Sequence, residues 1–263
     1  MQEPRSVIVT GASRGLGAAV ARRLAGVGVD VTISARSAKG LEAVAETLAA
    51  LGGRCETVPA DVADPDAGSR ILSRALERFG RLDAVINNAG ALGPLETLAH
   101  CDAAAWRYNL EVNLMGPVYL CMVALGELRA RRGRIVNVSS GAAERVIQAG
   151  GAYCSAKAGL NHFTRVLAAE EPELTVLAVR PGVIDTEMQK TLRNLGAKTM
   201  PSQQARYYRQ LKEKGELEPP DVPARSIAWL ALHAPQRMSG QFLSYDDPAI
   251  RNPAQGFFGE SAG

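Results

Sequence analysis

A tyrosine and a lysine four residues apart, Tyr153 and Lys157, lie in a stretch that is predicted to be helical. Side chains at positions i and i+4 share one face of a helix, so the hydroxyl and the ammonium group are expected to be neighbours. A tyrosine has an ordinary pKa of about 10, and a nearby cation lowers that pKa by favouring the phenolate. The pair is therefore a candidate general acid/base, although this spacing also arises by chance on amphipathic helices.

A serine precedes this pair at the end of a β-branched run. Ser140 directly follows the run 134–139 and stands thirteen residues before Tyr153. Its hydroxyl can donate a hydrogen bond to a carbonyl oxygen and so polarise the carbonyl group. Together with the tyrosine and the lysine, this serine predicts proton transfer at the oxygen of a carbonyl or an alcohol.

The first strand-like run, 7–10, leads into a glycine-rich turn. This turn reads Gly11-Ala12-Ser13-Arg14-Gly15-Leu16-Gly17, with the spacing GxxxGxG. Glycines let the backbone turn tightly and approach a pyrophosphate at a helix N-terminus. The spacing differs from the GxGxxG of the common dinucleotide fingerprint, so an ordinary strand-to-helix turn stays an alternative.

The end of the second strand-like run distinguishes between two nicotinamide cofactors. In NAD-binding proteins an acidic residue about 20 positions beyond the glycines holds the ribose 2′-hydroxyl. Here Arg36 takes that place without a neighbouring carboxylate, and Arg14 in the glycine turn can approach the same group. A guanidinium pairs well with a phosphate, so NADP(H) is predicted; the alternative is that both arginines are only solvated.

Short β-branched runs alternate with longer helical patterns along the chain. The strand-like runs are 7–10, 29–35, 55–60, 82–87, 134–139, 175–180 and 241–244. The helical patterns are 16–27, 41–51, one that begins at 64, 103–129, 153–170 and 224–232. This order predicts an α/β protein with a single-domain Rossmann fold, in which a doubly wound seven-stranded parallel sheet has helices on both faces. Such sheets bind ligands at the carboxyl ends of their strands, where the motifs lie.

The chain shows no linker or internal repeat, so residues 1–250 are predicted to form one NADP-binding domain. Two of its segments look irregular. Residues 185–220 are rich in charged and polar side chains and are expected to form a lid over the site. Residues 251–263 are rich in Gly, Pro and Ala and are expected to be a flexible tail.

Composition argues against several other classes of function. The 263 residues are 46% hydrophobic and 22% charged, which is typical of a soluble globular protein. A net charge of +3 is too small to indicate a nucleic-acid partner, and no apolar run predicts a membrane span. Four cysteines without a CxxC motif and three scattered histidines predict free thiols and no metal site. With no leader-like pattern at residue 1 onwards, a cytoplasmic protein is expected.

The chain resembles the short-chain dehydrogenase/reductase family over nearly its whole length. The matching motifs are the turn 10–17, Asn87-Asn88-Ala89-Gly90, Asn113, Ser140, Tyr153-x-x-x-Lys157 and Pro181-Gly182. The resemblance implies that Tyr153 is the general acid/base and that Ser140 orients the carbonyl oxygen. It also implies that Lys157 binds the nicotinamide ribose and tunes Tyr153, and that Asn113 holds a water molecule in a proton relay from Lys157.

The same resemblance assigns the walls of a cofactor cleft. The turn that contains Asn88, Ala89 and Gly90 would line its adenine side. The adenine edge would be held by Asp61 and Val62, and the nicotinamide would be flanked by Pro181, Gly182, Ile184 and Thr186. Two simpler roles stay open, because Asn88 could be a turn residue and Asn113 could cap or bend its helix.

Three segments, 167–172, 181–189 and 240–247, resemble the narrower branch of sepiapterin reductase and benzil reductase. Those enzymes reduce vicinal dicarbonyls with NADPH, which implies an NADPH-dependent carbonyl reductase for a ketone, either an α-diketone or a related conjugated carbonyl. In the pterin enzyme an aspartate near the C-terminus anchors the substrate, and Asp247 falls at the matching place. A plain loop residue is the alternative, and the loop 141–151 has little in common with that enzyme.

Family members commonly form dimers through the helices before Ser140 and after Tyr153, so a homodimer is expected. Oxidation of a secondary alcohol and reduction of a 3-oxoacyl thioester stay open as alternatives, because they use the same machinery. A catalytically idle NADP(H)-sensing interaction protein is the alternative outside enzymes. Such proteins usually lose the catalytic tyrosine or lysine, whereas this chain has both.

Overall fold

The computed structural model describes residues 5–259, which form one seven-stranded parallel sheet covered by helices on both faces. The strands are β1 Ser6–Thr10, β2 Asp30–Ala35, β3 Cys55–Pro59, β4 Ala84–Asn87, β5 Arg134–Val138, β6 Thr175–Arg180 and β7 Phe242–Ser244. Their order in the sheet is β3-β2-β1-β4-β5-β6-β7, and every neighbouring pair is parallel. The predicted fold class is confirmed.

Ten α-helices connect or follow the strands in this part of the chain. They are α1 Gly15–Ala25, α2 Ala38–Ala50, α3 Ala67–Phe79, α4 Ala103–Leu110, α5 Gly116–Arg131, α6 Gly151–Glu170, α7 Glu187–Thr199, α8 Ser202–Glu213, α9 Asp221–His233 and α10 Pro248–Phe258. Helices α1, α2, α9 and α10 cover one face of the sheet, and α3, α5 and α6 cover the other.

Alternate residues of a strand point to opposite faces, and both faces of this sheet are buried beneath helices. Val7 and Val9 pack in the core beneath α1 and α9, whereas Ile8 between them packs beneath α3 and α5. All three are fully buried. Continuous apolar strands of this kind are expected where helices cover a parallel sheet on both sides.

The strand order reverses between β1 and β4. The chain moves outward from β1 to β3 and then returns to place β4 on the other side of β1. The loops after β1 and β4 therefore diverge, and such a reversal leaves a crevice at the carboxyl ends of the strands where ligands bind. The glycine turn after β1 and the Asn88 turn after β4 both lie at this reversal and border the crevice.

The polar segment 185–220 is not irregular, because it contains helices α7 and α8. Only a few of their side chains are buried, among them Leu192, Ala205 and Leu211. With so few apolar positions, the helical periodicity is hard to recognise in the sequence. The two helices lie at the carboxyl edge of the sheet, against the site.

The prediction of a flexible tail was wrong for residues 251–258, which belong to helix α10. Asp247 caps this helix, because its carboxylate accepts a hydrogen bond of 2.9 Å from the Ala249 amide, and Pro248 occupies the first position. Ile250 and Ala254, one turn apart, are fully buried on the side of α9. Residues 260–263 of the predicted tail lie outside the described residues.

Within residues 5–259, one helical run, 103–131, is long and apolar enough to cross a membrane by length and composition alone. The run consists of α4, a π turn at Glu111–Met115, and α5. Leu120, Ala124 and Leu128 are buried in the core beneath α3 and α5. Core helices of globular proteins have this length and apolarity as well, and the packing accounts for the composition.

We expect Ile250→Ala to lower the free energy of unfolding by about 2–5 kcal/mol, because it empties a fully buried site between α10 and α9. Asn252→Ala, on the exposed side of the same helix, is the matched control and should change it by less than about 0.5 kcal/mol. Chemical denaturation followed by circular dichroism measures both. Equal, near-zero effects would mean that α10 does not pack on the domain.

Candidate active site

Asn88 and Thr10 join the two turns that border the crevice, the glycine turn after β1 and the turn after β4. The Asn88 side-chain amide donates to the carbonyl oxygens of Thr10 and Gly11, at 2.8 and 3.2 Å. The Thr10 hydroxyl accepts from the backbone amides of Asn88 and Ala89, both at 3.1 Å. The side chain of Asn88 is thus committed to bracing the glycine turn, the structural role that the sequence had left open.

The glycine turn approaches the Asn88 turn too closely for side chains. Gly11 has φ +65°, and a Cβ atom there would lie 2.7 Å from the Cα atom of Ala89. A Cβ atom on Gly17 would lie 2.5 Å from both the Asn88 amide nitrogen and the Gly11 carbonyl oxygen. These glycines are therefore required by the close approach of two backbones.

The N-terminus of α1 opens into the crevice without a side-chain cap. Arg14 occupies the capping position in extended conformation, and its side chain makes no capping hydrogen bond. The first amides of a helix have no partner within the helix, so those after Gly15 are suited to an anion. A Cβ atom on Gly15 would point toward the Thr186 methyl group 3.4 Å away, on the opposite wall. This cradle fits the pyrophosphate of a dinucleotide.

Three residues from separate elements form a hydrogen-bonded chain beside this cradle. The Arg36 guanidinium donates to the Tyr108 hydroxyl at 2.7 Å, and that hydroxyl donates to the Asp61 carboxylate at 2.9 Å. The other oxygen of Asp61 accepts from the Ala63 amide at 3.1 Å. Arg36 and Asp61 were candidates from the sequence, whereas Tyr108, on α4, was missed because no motif contains it.

The remaining residues predicted for the cofactor cleft surround the same crevice. Val62 packs against the first residue of α5, where a Cβ atom on Gly116 would lie 2.8 Å from the Val62 carbonyl oxygen. Ser13 and Arg14 lie in the turn itself and Leu16 in the first turn of α1. The facing wall is formed by Pro181, Gly182, Ile184 and Thr186, between β6 and α7. Contact of these residues with a cofactor stays a prediction.

Ser140, Tyr153 and Lys157 lie together at the carboxyl end of β5. The Tyr153 hydroxyl lies near the Ser140 side chain, whose interaction with it lowers the Tyr153 pKa. The Lys157 ammonium group donates to the Val138 carbonyl oxygen at 2.9 Å and lies 5.8 Å from the centroid of the Tyr153 ring. Both Tyr153 and Lys157 are buried.

Burial controls the protonation of this pair. It raises the pKa of the Tyr153 hydroxyl above its ordinary value, and the hydrogen bond from Ser140 opposes the increase. Burial also lowers the pKa of the Lys157 ammonium group to about 8. Burial thus outweighs the lowering of the Tyr153 pKa that the sequence predicts. At neutral pH Tyr153 holds its proton.

Asn113 lies in the π turn between α4 and α5. Its side-chain amide donates to the Ala91 carbonyl oxygen at 2.7 Å and to the carbonyl oxygen of Asn109 at 3.0 Å. Its side-chain oxygen accepts from the Ala91 amide at 3.2 Å. Asn113 therefore fixes the chain just after Gly90, at an interruption of the helix. The water-holding role stays a prediction.

A cavity of about 550 Å³ lies above Ser140 and Tyr153. Its apolar walls include Leu92, Ile147 and Tyr208, and its rim carries charged side chains. The charged residues of the lining are Arg145, Arg180, Glu216, Glu218 and Asp246. Helices α7 and α8 form one side of the cavity. The lid role of 185–220 stays a prediction.

Gln204, on α8, connects this helix to the loop after β5. Its side-chain oxygen accepts from the Gln148 amide at 3.1 Å, and its side-chain nitrogen donates to the Val146 carbonyl oxygen at 3.2 Å. Both contacts are to main-chain atoms, so they fix the path of the loop and not its side chains. No pattern in the sequence points to Gln204, because a contact across 56 or 58 residues has no local signature.

Asp247, the candidate substrate residue, is used as the cap of α10 and does not line the cavity. Its neighbour Asp246 lines the cavity instead, together with Tyr245. The carboxylate that lines the cavity at this turn therefore belongs to Asp246, one position before the predicted Asp247. Asp246 also accepts a hydrogen bond from the Ser244 hydroxyl.

Comparison with known proteins agrees with this geometry. A family model described as short chain dehydrogenase matches residues 5–195. An uncharacterized oxidoreductase of Saccharomyces cerevisiae, YIR035C, is 37% identical over 93% of this chain and 96% of its own. Its crystal structure superposes with a TM-score of 0.90 over 94% of this chain and 98% of its own, at 36% identity. Benzil reductase ((S)-benzoin forming) IRC24 of the same yeast is 32% identical over 95% and 98% of the two chains.

Burial of Lys157 predicts a pH-dependent cost in stability. Its pKa is about 8 in the folded chain and 10.5 ordinarily, so the unfolded chain binds more protons between these values. The stability of the wild type relative to Lys157→Met should therefore rise by roughly 3 kcal/mol as pH increases through this window. Denaturant unfolding from pH 7 to 10.5 measures the difference.

Lys190→Met is the matched control, because it removes an ammonium group that is exposed to solvent. A difference between the wild type and Lys157→Met that does not change with pH would contradict burial of the cation.

Proposed function

This chain belongs to the short-chain dehydrogenase family, and from that premise we propose that it is an NADPH-dependent carbonyl reductase. The observation that carries the proposal is that Ser140 and Tyr153 line one large cavity, with Lys157 buried beside them. These groups can hold a carbonyl oxygen and deliver a proton to it.

The proposed reaction uses the protonation states that burial imposes. The substrate carbonyl oxygen lies between the hydroxyls of Ser140 and Tyr153 and accepts hydrogen bonds from both. Tyr153, which is neutral at neutral pH, gives its proton to this oxygen as the carbonyl carbon is reduced. The Lys157 cation then stabilises the tyrosinate until the proton is replaced. NADPH, when bound, supplies the hydride.

The cavity favours a large, conjugated substrate. About 550 Å³ is enough for two aromatic rings, and Leu92, Ile147, Tyr207 and Tyr208 provide apolar and aromatic walls. Tyr207 and Tyr208 contact each other edge to face, with ring centroids 5.3 Å apart. Together with the relative that is a benzil reductase, this lining supports an α-diketone as the substrate class.

The choice of NADPH rests on charge. Arg36 and Arg14 are exposed cations at the crevice, and neither takes part in an ion pair among residues 5–259. Each guanidinium can therefore accept the 2′-phosphate as a partner. Asp61, a carboxylate on the same wall, is already hydrogen-bonded to Tyr108 and to the Ala63 amide.

A homodimer in the cytoplasm completes the proposal. The outer faces of α5 and α6 expose large apolar side chains, with Met122 at 68% and Val166 at 42% exposure. The cysteines at 55, 101, 121 and 154 are free thiols, which suits a reducing compartment. Analytical ultracentrifugation tests the dimer, and a monomer at micromolar concentration would contradict it.

The direct test is the rate of NADPH oxidation, with NADH in parallel, against 1,2-diketones, simple ketones, quinones, sepiapterin and acetoacetyl thioesters. We expect diketones to be reduced with the highest kcat/KM and NADPH to be preferred. A preference for the thioester or for alcohol oxidation would favour the alternatives on the same machinery. Tight NADPH binding without turnover of any carbonyl would favour the sensing protein.

Tyr153→Phe should lower kcat by about 10²–10⁴-fold, because it removes the proton donor while keeping the ring. Affinity for NADPH, measured by quenching of protein fluorescence, should change little. Tyr119→Phe is the control: it also removes a phenol, one that donates to Glu111 on the outer helices. Retention of full reductase activity by Tyr153→Phe would refute the assigned role.

Arg36→Ala should raise the KM for NADPH by about 10- to 100-fold, since hydrogen bonds to charged groups are among the stronger polar contacts. The KM for NADH should change by less than about 3-fold. Arg78→Ala removes the same charge from α3 and serves as the control. An equal rise in KM for NADPH and for NADH would show that Arg36 does not contact the 2′-phosphate.

A further inference from the structure

Tyr108 lies between the two residues that are expected to hold the adenosine end of the cofactor. Arg36 follows β2, Asp61 follows β3, and Tyr108 is on α4, so three separate elements converge here. The hydroxyl of Tyr108 joins the two side chains, since it is hydrogen-bonded to both. Nothing in the glycine turn or the catalytic motif requires a tyrosine at this position.

The hydroxyl uses its donor and an acceptor site at the same time. It accepts a hydrogen bond of 2.7 Å from Arg36 and donates one of 2.9 Å to Asp61. Burial, followed by the hydrogen bond to Asp61, raises the pKa of Tyr108. The phenol therefore keeps its proton at neutral pH, and both hydrogen bonds persist.

The chain of contacts begins at the backbone. Asp61 is fixed by its hydrogen bond from the Ala63 amide, Tyr108 is fixed by Asp61, and Arg36 is fixed by Tyr108. An exposed arginine otherwise samples many rotamers, and immobilising it costs conformational entropy each time a ligand binds. Because the contact with Tyr108 already restricts Arg36, less conformational entropy is lost when the ligand binds.

The charge of Arg36 stays available in this arrangement. A phenol is neutral, so Arg36 is positioned without an ion pair, and Asp61 does not form a salt bridge with it in the described part of the chain. A guanidinium has five N–H donors in a planar fork, and the Tyr108 contact uses one nitrogen. The others can bind a phosphate in two-point geometry.

We propose that Tyr108 is a positioning residue that determines cofactor specificity, by holding the Arg36 guanidinium where a ribose 2′-phosphate binds. The inference rests on the proposed choice of NADP(H). Tyr108 contributes to the affinity for ligands that carry this phosphate and is neutral toward ligands that lack it. It does so through Arg36 and not by contact with the phosphate.

The test uses fragments of the cofactor that cannot react. Isothermal titration calorimetry with 2′,5′-ADP and with 5′-AMP compares the wild type, Tyr108→Phe, Arg36→Ala and the double variant. Tyr108→Phe should lower the affinity for 2′,5′-ADP by about 5- to 10-fold and the affinity for 5′-AMP by less than about 2-fold. In the Arg36→Ala background, Tyr108→Phe should have no further effect on 2′,5′-ADP.

Tyr119→Phe, which loses a phenol–carboxylate hydrogen bond to Glu111, should leave both affinities unchanged. Tighter binding of 2′,5′-ADP by Tyr108→Phe would overturn the inference, since Tyr108 would then hold Arg36 away from the phosphate. Equal weakening of both fragments would also overturn it, because Tyr108 would act on adenine through Asp61. A wild type that binds both fragments equally would overturn the choice of NADP(H) as well, whereas loss of the Tyr108 effect alone leaves that choice intact.

Discussion

The hydrogen bonds between Asn88 and Thr10 hold together the one place where this sheet changes direction. At the boundary of β1 and β4 the following loops diverge, and a crevice without a brace would leave the glycine turn free to move. Asn88 fixes that turn through two backbone carbonyls, and Thr10 fixes the opposite turn through two backbone amides. The positions of the open α1 N-terminus and of Arg14 follow from this brace. Positions 11 and 17 therefore require glycine, because only a residue without a Cβ atom fits between turns held so closely.

The catalytic end of the site depends on burial in the same way. Lys157 is a buried cation whose one described hydrogen bond is to the Val138 carbonyl oxygen, an arrangement that stability alone would not favour. Its cost is consistent with a functional position, since an ammonium group with a pKa of about 8 can stabilise a tyrosinate at neutral pH. Burial also keeps Tyr153 protonated until a substrate requires the proton. The two shifts in pKa are opposite, and both suit the proposed reduction of a carbonyl.

The sequence was sufficient for the features that have local patterns. Seven strands, the glycine turn and the cluster of Ser140, Tyr153 and Lys157 were predicted from periodicity and spacing, and the structure brings the three side chains together. Helices α7 and α8 were missed because they bury few residues, and α10 because two prolines and a glycine obscure its periodicity. Contacts such as Arg36 with Tyr108, 72 residues apart, depend on the tertiary fold and have no signature in the sequence.

The most direct measurement follows the transferred hydrogen itself. The protein is supplied with NADPH that carries deuterium at the hydride position and with a 1,2-diketone such as benzil, and the product is analysed by mass spectrometry and proton NMR. The account predicts one deuterium per product molecule, bound to the new carbinol carbon, and a hydroxyl proton that comes from solvent through Tyr153. A hydroxyketone without deuterium on carbon, or no consumption of NADPH with any diketone, would contradict hydride transfer to a carbonyl at this site.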